Sequence, residues 1–347
     1  MTLERQGDLD FNGLVLIACG HTAFHLLWAA VQLGVFDTLS ESPKLTRDEI
    51  AERIGLKSQP ARILMTGLAA LKLIEKNGDR FRNSAIAEEL LTRHSPGNMI
   101  DVLGWQAHIV YPSLVDFVEA LKQFKNVGLR HFKGDADNIY QRLPDNPFIA
   151  KVFHDAMSSL SGSANAALAK LPVFESIRHL VDAGGGDGTN AITLVKAHPH
   201  LLVTVFDGGT ACDKAIKKIA ESGLSGQIDT CPGDFFVDPF PTNIDAILFG
   251  HMMTIWSPER DTALLRRAYA ALPAGGKVLV FNMMGDDDEV GPMSAALGSP
   301  YFLTTATGEG MLYSWREHES FIAAAGFRQT ERHVLPKDHG LLVGIKS

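Results

Sequence analysis

The 347-residue chain is short of several things, and each shortage removes a class of function. It has three cysteines, Cys19, Cys212 and Cys231, an odd number without metal-ligand spacing. That argues against a disulfide framework and a structural zinc site, and it points to a reducing cytoplasm. Excess basic charge is missing too. Lys and Arg number 32 against 40 Asp and Glu, a net charge of −8, so the chain lacks the electrostatic footprint of a nucleic-acid binder. A long unbroken apolar run is also lacking. The most apolar early stretch, 11–39, is interrupted by Asn12, His21, Thr22, His25 and Gln32, with no basic segment before it. Neither a signal peptide nor a membrane contact is expected. The apolar positions of 14–35 are still too dense for a one-sided surface helix, so cover on most sides is predicted, and a second subunit could supply it. The acidic run Asp286-Asp-Asp-Glu289 has no histidine or cysteine beside it and reads as a solvated loop; no metal is expected.

What the chain does have is a glycine turn. His179-Leu-Val-Asp-Ala-Gly-Gly-Gly-Asp-Gly-Thr189 reads as a buried strand, a turn and the start of a helix carrying Ala191, Ile192, Leu194 and Val195. This is the first half of a nucleotide-binding βαβ unit. A dinucleotide fingerprint needs a third glycine where Thr189 stands. The spacing Asp182, Gly184, Gly186, Gly188 instead resembles the S-adenosylmethionine site of class I methyltransferases. That ligand has an ammonium group and no pyrophosphate, and Asp182 places a carboxylate at the strand end. Asp207, ending the next strand before Gly208, is placed as an acid that binds ribose hydroxyls. Asp234, in Gly233-Asp-Phe-Phe, could accept from an adenine amino group while Phe235 packs on the ring.

The rest of the pattern predicts an α/β fold in three parts. Residues 1–110 carry a winged-helix unit: Thr46 and Glu49 form a capping box, a second helix begins near Pro60, and Asn77-Gly78 turns a hairpin. The second helix shows little basic charge, Arg62 being the main one, so a scaffold is favoured over DNA binding. Residues 111–173 read as a helical linker contributing to the substrate pocket. From 174 to 347 strands alternate with helices, predicting a parallel sheet with an antiparallel end.

Asp182-Ala-Gly-Gly-Gly-Asp-Gly, Asp207, Gly233-Asp-Phe-Phe, the Trp256 region, Leu272-Pro-Ala-Gly-Gly and Ala325-Gly-Phe327 together resemble the O-methyltransferase family of plant and bacterial natural-product enzymes. The resemblance covers nearly the whole chain. It implies a class I Rossmann-like domain behind an all-helical winged-helix dimerisation domain, a homodimer and a small-molecule acceptor. It also implies S-adenosylmethionine held by Gly184, Asp207, Asp234 and their neighbours Asp182, Gly186, Gly208 and Phe235. Met157 falls where the family packs the acceptor with a methionine.

The likeness breaks where the family keeps its general base. Thr254, in Met252-Met-Thr-Ile-Trp256, stands in place of the histidine. Asn282 and Leu312 stand in place of the two glutamates that orient it. A threonine hydroxyl is far too weak a base to replace imidazole. Either a base has moved in, with His251, His108 and His154 as candidates, or the acceptor atom needs no deprotonation. A thioether sulfur is such an atom. The profile thus resembles the bacterial S-methyltransferases of dimethylsulfoniopropionate synthesis, which methylate 4-methylthio-2-hydroxybutyrate to a sulfonium. Tyr140 and Arg142 would then clamp a carboxylate, and Trp105, Phe153, Met157 and Met253 would line the thioether slot. O- or C-methylation of a natural-product metabolite with a relocated base is the alternative. A non-catalytic ligand-binding regulator is a third reading, from another class.

Overall fold

The computed structural model describes residues 9–347, which fall into two compact units meeting at Ala107 and His108. In the first unit two apolar helices, Phe11–Ala18 and Gly20–Gln32, are bent 70° apart at Cys19. No single helix among the described residues is long and apolar enough to cross a membrane. Thr46 caps the helix Arg47–Arg53 and Glu49 returns the bond, completing the expected capping box. The helix Ser58–Ala70 buries Ala61, Leu64, Met65 and Leu68.

This unit is not all-helical. Strands β1 (Leu45–Thr46), β2 (Ile74–Asn77) and β3 (Arg80–Asn83) make a small antiparallel sheet in the order β1-β3-β2. Gly78, at φ +63, makes the tight turn between β2 and β3, while Ile74 and Phe81 point into the core.

The second unit holds a seven-stranded sheet. Its strands are β4 (His179–Ala183), β5 (Leu202–Asp207), β6 (Ile228–Pro232), β7 (Ala246–Gly250), β8 (Lys277–Met283), β9 (Arg328–Val334) and β10 (His339–Ile345). They lie in the order β6-β5-β4-β7-β8-β10-β9, parallel from β6 to β8, with β10 antiparallel to both β8 and β9. The parallel strands β4, β5, β7 and β8 are buried on both faces, as their apolar runs require, while β6 lies at the open edge. Alternation sorts their side chains. Leu180, Val203, Leu248, Leu279 and Phe281 share one core layer with Ala164 and Leu168 of the helix Pro147–Leu168. Val181, Ile247, Phe249, Val278 and Val280 share the other with Leu264 and Leu265 of Pro258–Ala271 and Ile322 of Trp315–Ala324. Segment 111–173 therefore does not stand apart as a linker: its long helix is part of the second unit's core, and the contact boundary lies at 107/108.

Two stretches depart from the expected pattern. The stretch 98–125, whose apolar spacing predicts one helix, is divided into Ile100–Trp105, a π-turn Gln106–Val110, Tyr111–Leu114 and Phe117–Gln123. Pro112 removes a backbone donor there. The helix Met293–Tyr301 and its π-turn Phe302–Ala306 have no signal in the sequence, because Gly298, Pro300, Thr304 and Thr305 are poor helix formers. Tertiary contact overrides propensity: the Thr304 carbonyl packs so closely on Gly128 that a Cβ there would lie 2.8 Å away.

Candidate active site

Sheet order reverses between β4 and β7, so the ligand crevice belongs beyond the carboxyl ends of β4, β5 and β7. The glycine turn lies there. Gly184, Gly186 and Gly188 take φ of +72, +58 and +79, a region costly to any side chain. A Cβ on Gly184 would meet the Met252 sulfur at 2.4 Å, whereas one on Gly186 would meet nothing within 4 Å. The turn is therefore closed on the Met252 side and open over Gly186.

Three carboxylates surround it. Asp182 is 1% exposed and tucked beneath the turn; the Asn190 side chain bonds it, and its Oδ2 has no partner among the described residues. Burial, with Asp207 and Asp187 nearby, pushes its carboxyl up to about 7, against the Asn190 bond. Asp207 accepts the Gly186 N–H at 2.8 Å and the Gly208 N–H at 2.6 Å, and burial outweighs both bonds to raise its carboxyl. Asp187 is the exception. Burial acts to raise it, but Lys218, whose Nζ is 2.6 Å from Oδ2, and Thr189 hold it below the ordinary range. Asp234 is exposed; it accepts the Phe236 N–H at 2.8 Å, beside the half-buried ring of Phe235. An orphaned buried carboxylate oxygen, an open glycine turn and an acid at each successive strand end fit a cationic adenosyl ligand. Asn190 and Met252 were not anticipated. Only Asn190 had a usable signal, its place at the start of the helix that follows the turn.

The acceptor side begins at the loop after β7. Met253 and Thr254 are buried, at 0% and 3% exposure, and Gly310 packs against the Thr254 carbonyl. Trp256 is framed by the Phe236 ring at 5.1 Å and the Arg260 guanidinium at 4.2 Å, and the Tyr313 hydroxyl donates to its carbonyl at 2.7 Å. His251 does not serve: its ring lies 4.7 Å from Phe281 and 5.2 Å from His339, and burial pushes its imidazole down to about 3. Such a ring holds a proton too weakly to be a general base near neutral pH. His154 bonds Lys214 at 2.7 Å, and burial followed by that lysine's charge lowers its pKa. His108 meets Phe148 edge-on at 5.0 Å.

Asn282 is the last residue but one of β8, fully buried, and neither Nδ2 nor Oδ1 has a partner among the described residues. Leu312 packs its side chain on Gly298 and donates its N–H to Ser299 Oγ at 3.1 Å.

The anticipated carboxylate clamp is not formed, because its arginine is already engaged. Arg142 donates Nε to the Ala136 carbonyl at 2.7 Å and Nη1 to those of Leu129 and Phe132 at 2.8 and 3.0 Å, so its charge pins its own loop. Tyr140 is half-buried; burial of its phenol lifts it far above the ordinary value, opposed by a bond from Tyr301. Its ring instead starts a row, Tyr140 to Phe153 at 5.7 Å and Phe153 to His154 at 5.6 Å, which ends on Lys214 of the helix Gly209–Glu221. Met157 lies half-buried one turn beyond Phe153. Trp105 belongs to the first unit, where it is buried.

Comparison with known proteins agrees with this geometry. Residues 111–328 match the O-methyltransferase domain, and residues 15–93 match the O-methyltransferase dimerisation domain. The L-tyrosine C(3)-methyltransferase of Streptomyces lavendulae is 37% identical over 345 residues, covering 98% of this chain and 94% of that protein. The 3-hydroxy-5-methyl-1-naphthoate 3-O-methyltransferase of Streptomyces sahachiroi is 30% identical, covering 95% and 94%. Among solved structures, the S-adenosylmethionine-dependent methyltransferase SibL in its apo form superposes with a TM-score of 0.85 at 38% identity, covering 97% of this chain and 99% of that one.

Proposed function

Since the chain belongs to the O-methyltransferase family and is an S-adenosylmethionine-dependent methyltransferase, we propose that it methylates a ring carbon beside the hydroxyl of a tyrosine-like phenol. One feature carries the choice of carbon over oxygen: the family resemblance puts Thr254, 3% exposed, where a base would be expected. In O-methylation the attacking oxygen carries the proton, so a base must sit beside the atom that meets the methyl group. In C-methylation that atom is a carbon, and the hydroxyl lies farther along the ring. The 37% identity with a tyrosine C(3)-methyltransferase supports the same reading.

S-Adenosylmethionine supplies an electrophilic methyl on a sulfonium. When bound, it would leave as S-adenosylhomocysteine, and the proton displaced from the ring carbon would pass to solvent. The protein's part is to place the ring against the donor. Gly184, Gly186, Asp182 and Asp207 hold the donor, with Gly208, Asp234 and Phe235 at its nucleoside end. Phe153, Met157 and Met253 line the acceptor side.

A thioether acceptor loses its support, because Arg142, the charged half of its carboxylate clamp, is engaged by its own loop's carbonyls. The non-catalytic regulator is set aside by membership of an enzyme family. The exposed apolar side chains of Phe11, Leu14, Leu16 and Ile17, within or beside the dimerisation-domain match, support a homodimer.

The test is an acceptor screen with methyl-labelled donor, read by mass spectrometry. L-Tyrosine and related phenols are expected to gain one methyl group and 4-methylthio-2-hydroxybutyrate none. Turnover of the thioether alone would overturn the proposal.

A further inference from the structure

Among the described residues, Asn282 is a fully buried polar side chain at the ligand end of the sheet that has no role in the fold. It is 0% exposed, and both its amide oxygen and its amide nitrogen lack a hydrogen-bond partner among those residues. A buried amide in that state is destabilising relative to one that is satisfied. Strand β8 has no need of it there, since its backbone pairs with Gly340 of β10 whatever the side chain. The register says where the amide lies. Val278, Val280 and Met284 belong to the core layer that also contains Met252 and Met253, and Asn282 shares their parity. It therefore stands at the carboxyl end of β8, on the face of the Met253–Thr254 loop, where open α/β sheets bind their ligands.

We propose that the Asn282 side chain is the specificity-determining residue that binds the acceptor's ring hydroxyl, and so fixes carbon rather than oxygen at the methyl group. This rests on the C-methylation reading above. The chemistry of the residue suits the task. An amide accepts and donates but takes no proton, so it ties up the hydroxyl without turning it into the better nucleophile. With the oxygen held at Asn282, the neighbouring ring carbon is the atom presented toward the donor. No charged side chain is needed, and Thr254 and Leu312 supply none.

The inference separates sharply from a structural role. A structural asparagine loses fold stability when replaced. A ligand-serving asparagine that is unsatisfied in the free protein does not, because Asn282→Leu keeps the volume and removes an unpaired polar group. Asn282→Leu is therefore expected to leave Tm unchanged or raise it. Binding of L-tyrosine and of L-phenylalanine is measured by calorimetry on the complex with S-adenosylhomocysteine. Wild type is expected to prefer tyrosine at least tenfold, and Asn282→Leu to bind the two within about twofold, since a site built around a hydroxyl loses its discrimination with the partner group. A lowered Tm overturns the inference whatever the acceptor is. A variant that keeps the tyrosine preference overturns Asn282's role alone. A wild type that binds the two alike overturns the acceptor reading and this role with it.

Discussion

Replacing Gly184 and Gly186 by alanine separates the two jobs of the glycine turn. Both residues have left-handed φ, +72 and +58, and for each an added Cβ costs about 1–2 kcal/mol. For Gly186 that is the whole cost, because the new methyl meets nothing within 4 Å. For Gly184 the methyl would lie 2.4 Å from the Met252 sulfur and 2.7 Å from its Cγ, in a core where Met252 is 8% exposed. Repacking that contact adds about 1–3 kcal/mol, for a total of about 2–5 kcal/mol. At about 2–4 °C per kcal/mol for a unit of this size, Gly186→Ala lowers Tm by a few degrees and Gly184→Ala by clearly more. Donor affinity is expected to run the other way in proportion. The methyl of Gly186→Ala points into the open side of the turn and weakens S-adenosylmethionine binding at least tenfold, despite the small change in Tm. Thermal denaturation and titration calorimetry read the two effects on the same samples. Wild-type affinity in Gly186→Ala, or equal stability of the two variants, would refute this division of labour.

Three further outcomes follow from named groups. Asp182, held at about 7 in the free protein, meets a cationic ligand that favours its carboxylate, so donor affinity should rise about tenfold between pH 6 and pH 8. Calorimetry on Asp182→Asn should show that dependence flattened. Asp261 is 0% exposed, neither oxygen has a partner among the described residues, and burial pushes its carboxyl up to about 8. Its folded pKa lies above its unfolded value, so its destabilising contribution grows as pH rises from about 4 to about 8. Asp261→Asn should be more stable than wild type by at least about 1–3 kcal/mol at pH 8, with the margin shrinking toward pH 5; denaturant titrations at both values measure it. Arg142→Ala removes three charged hydrogen bonds to carbonyls and should cost about 2–4 kcal/mol of stability while leaving acceptor KM within about twofold. A KM that rises tenfold in a folded variant would restore Arg142 as a substrate clamp.

The strands, the glycine turn and the capping box were legible because each has a local cause: periodicity, left-handed glycines, and a threonine three residues before a glutamate. The order of acids at Asp182, Asp207 and Asp234 was legible for the same reason, since each directly ends or follows a strand. What the sequence could not show was engagement. Arg142 looks the same in one dimension whether it faces a substrate or three of its own loop's carbonyls. His251 looks like a spare base until its burial against Phe281 and His339 is known. The helix Met293–Tyr301 was hidden because packing, not propensity, forms it. The absence of a base at Thr254 was visible from the start, but its meaning changed: with the thioether clamp gone, it favours a carbon nucleophile rather than a sulfur one.

The most direct test is the position of the transferred methyl. The enzyme is incubated with L-tyrosine and S-adenosylmethionine carrying a carbon-13 methyl, and the product is examined by NMR. The expected result is an aryl-methyl resonance coupled to the ring, on the carbon beside the hydroxyl. A methoxy resonance would contradict carbon selectivity and the place given to Thr254.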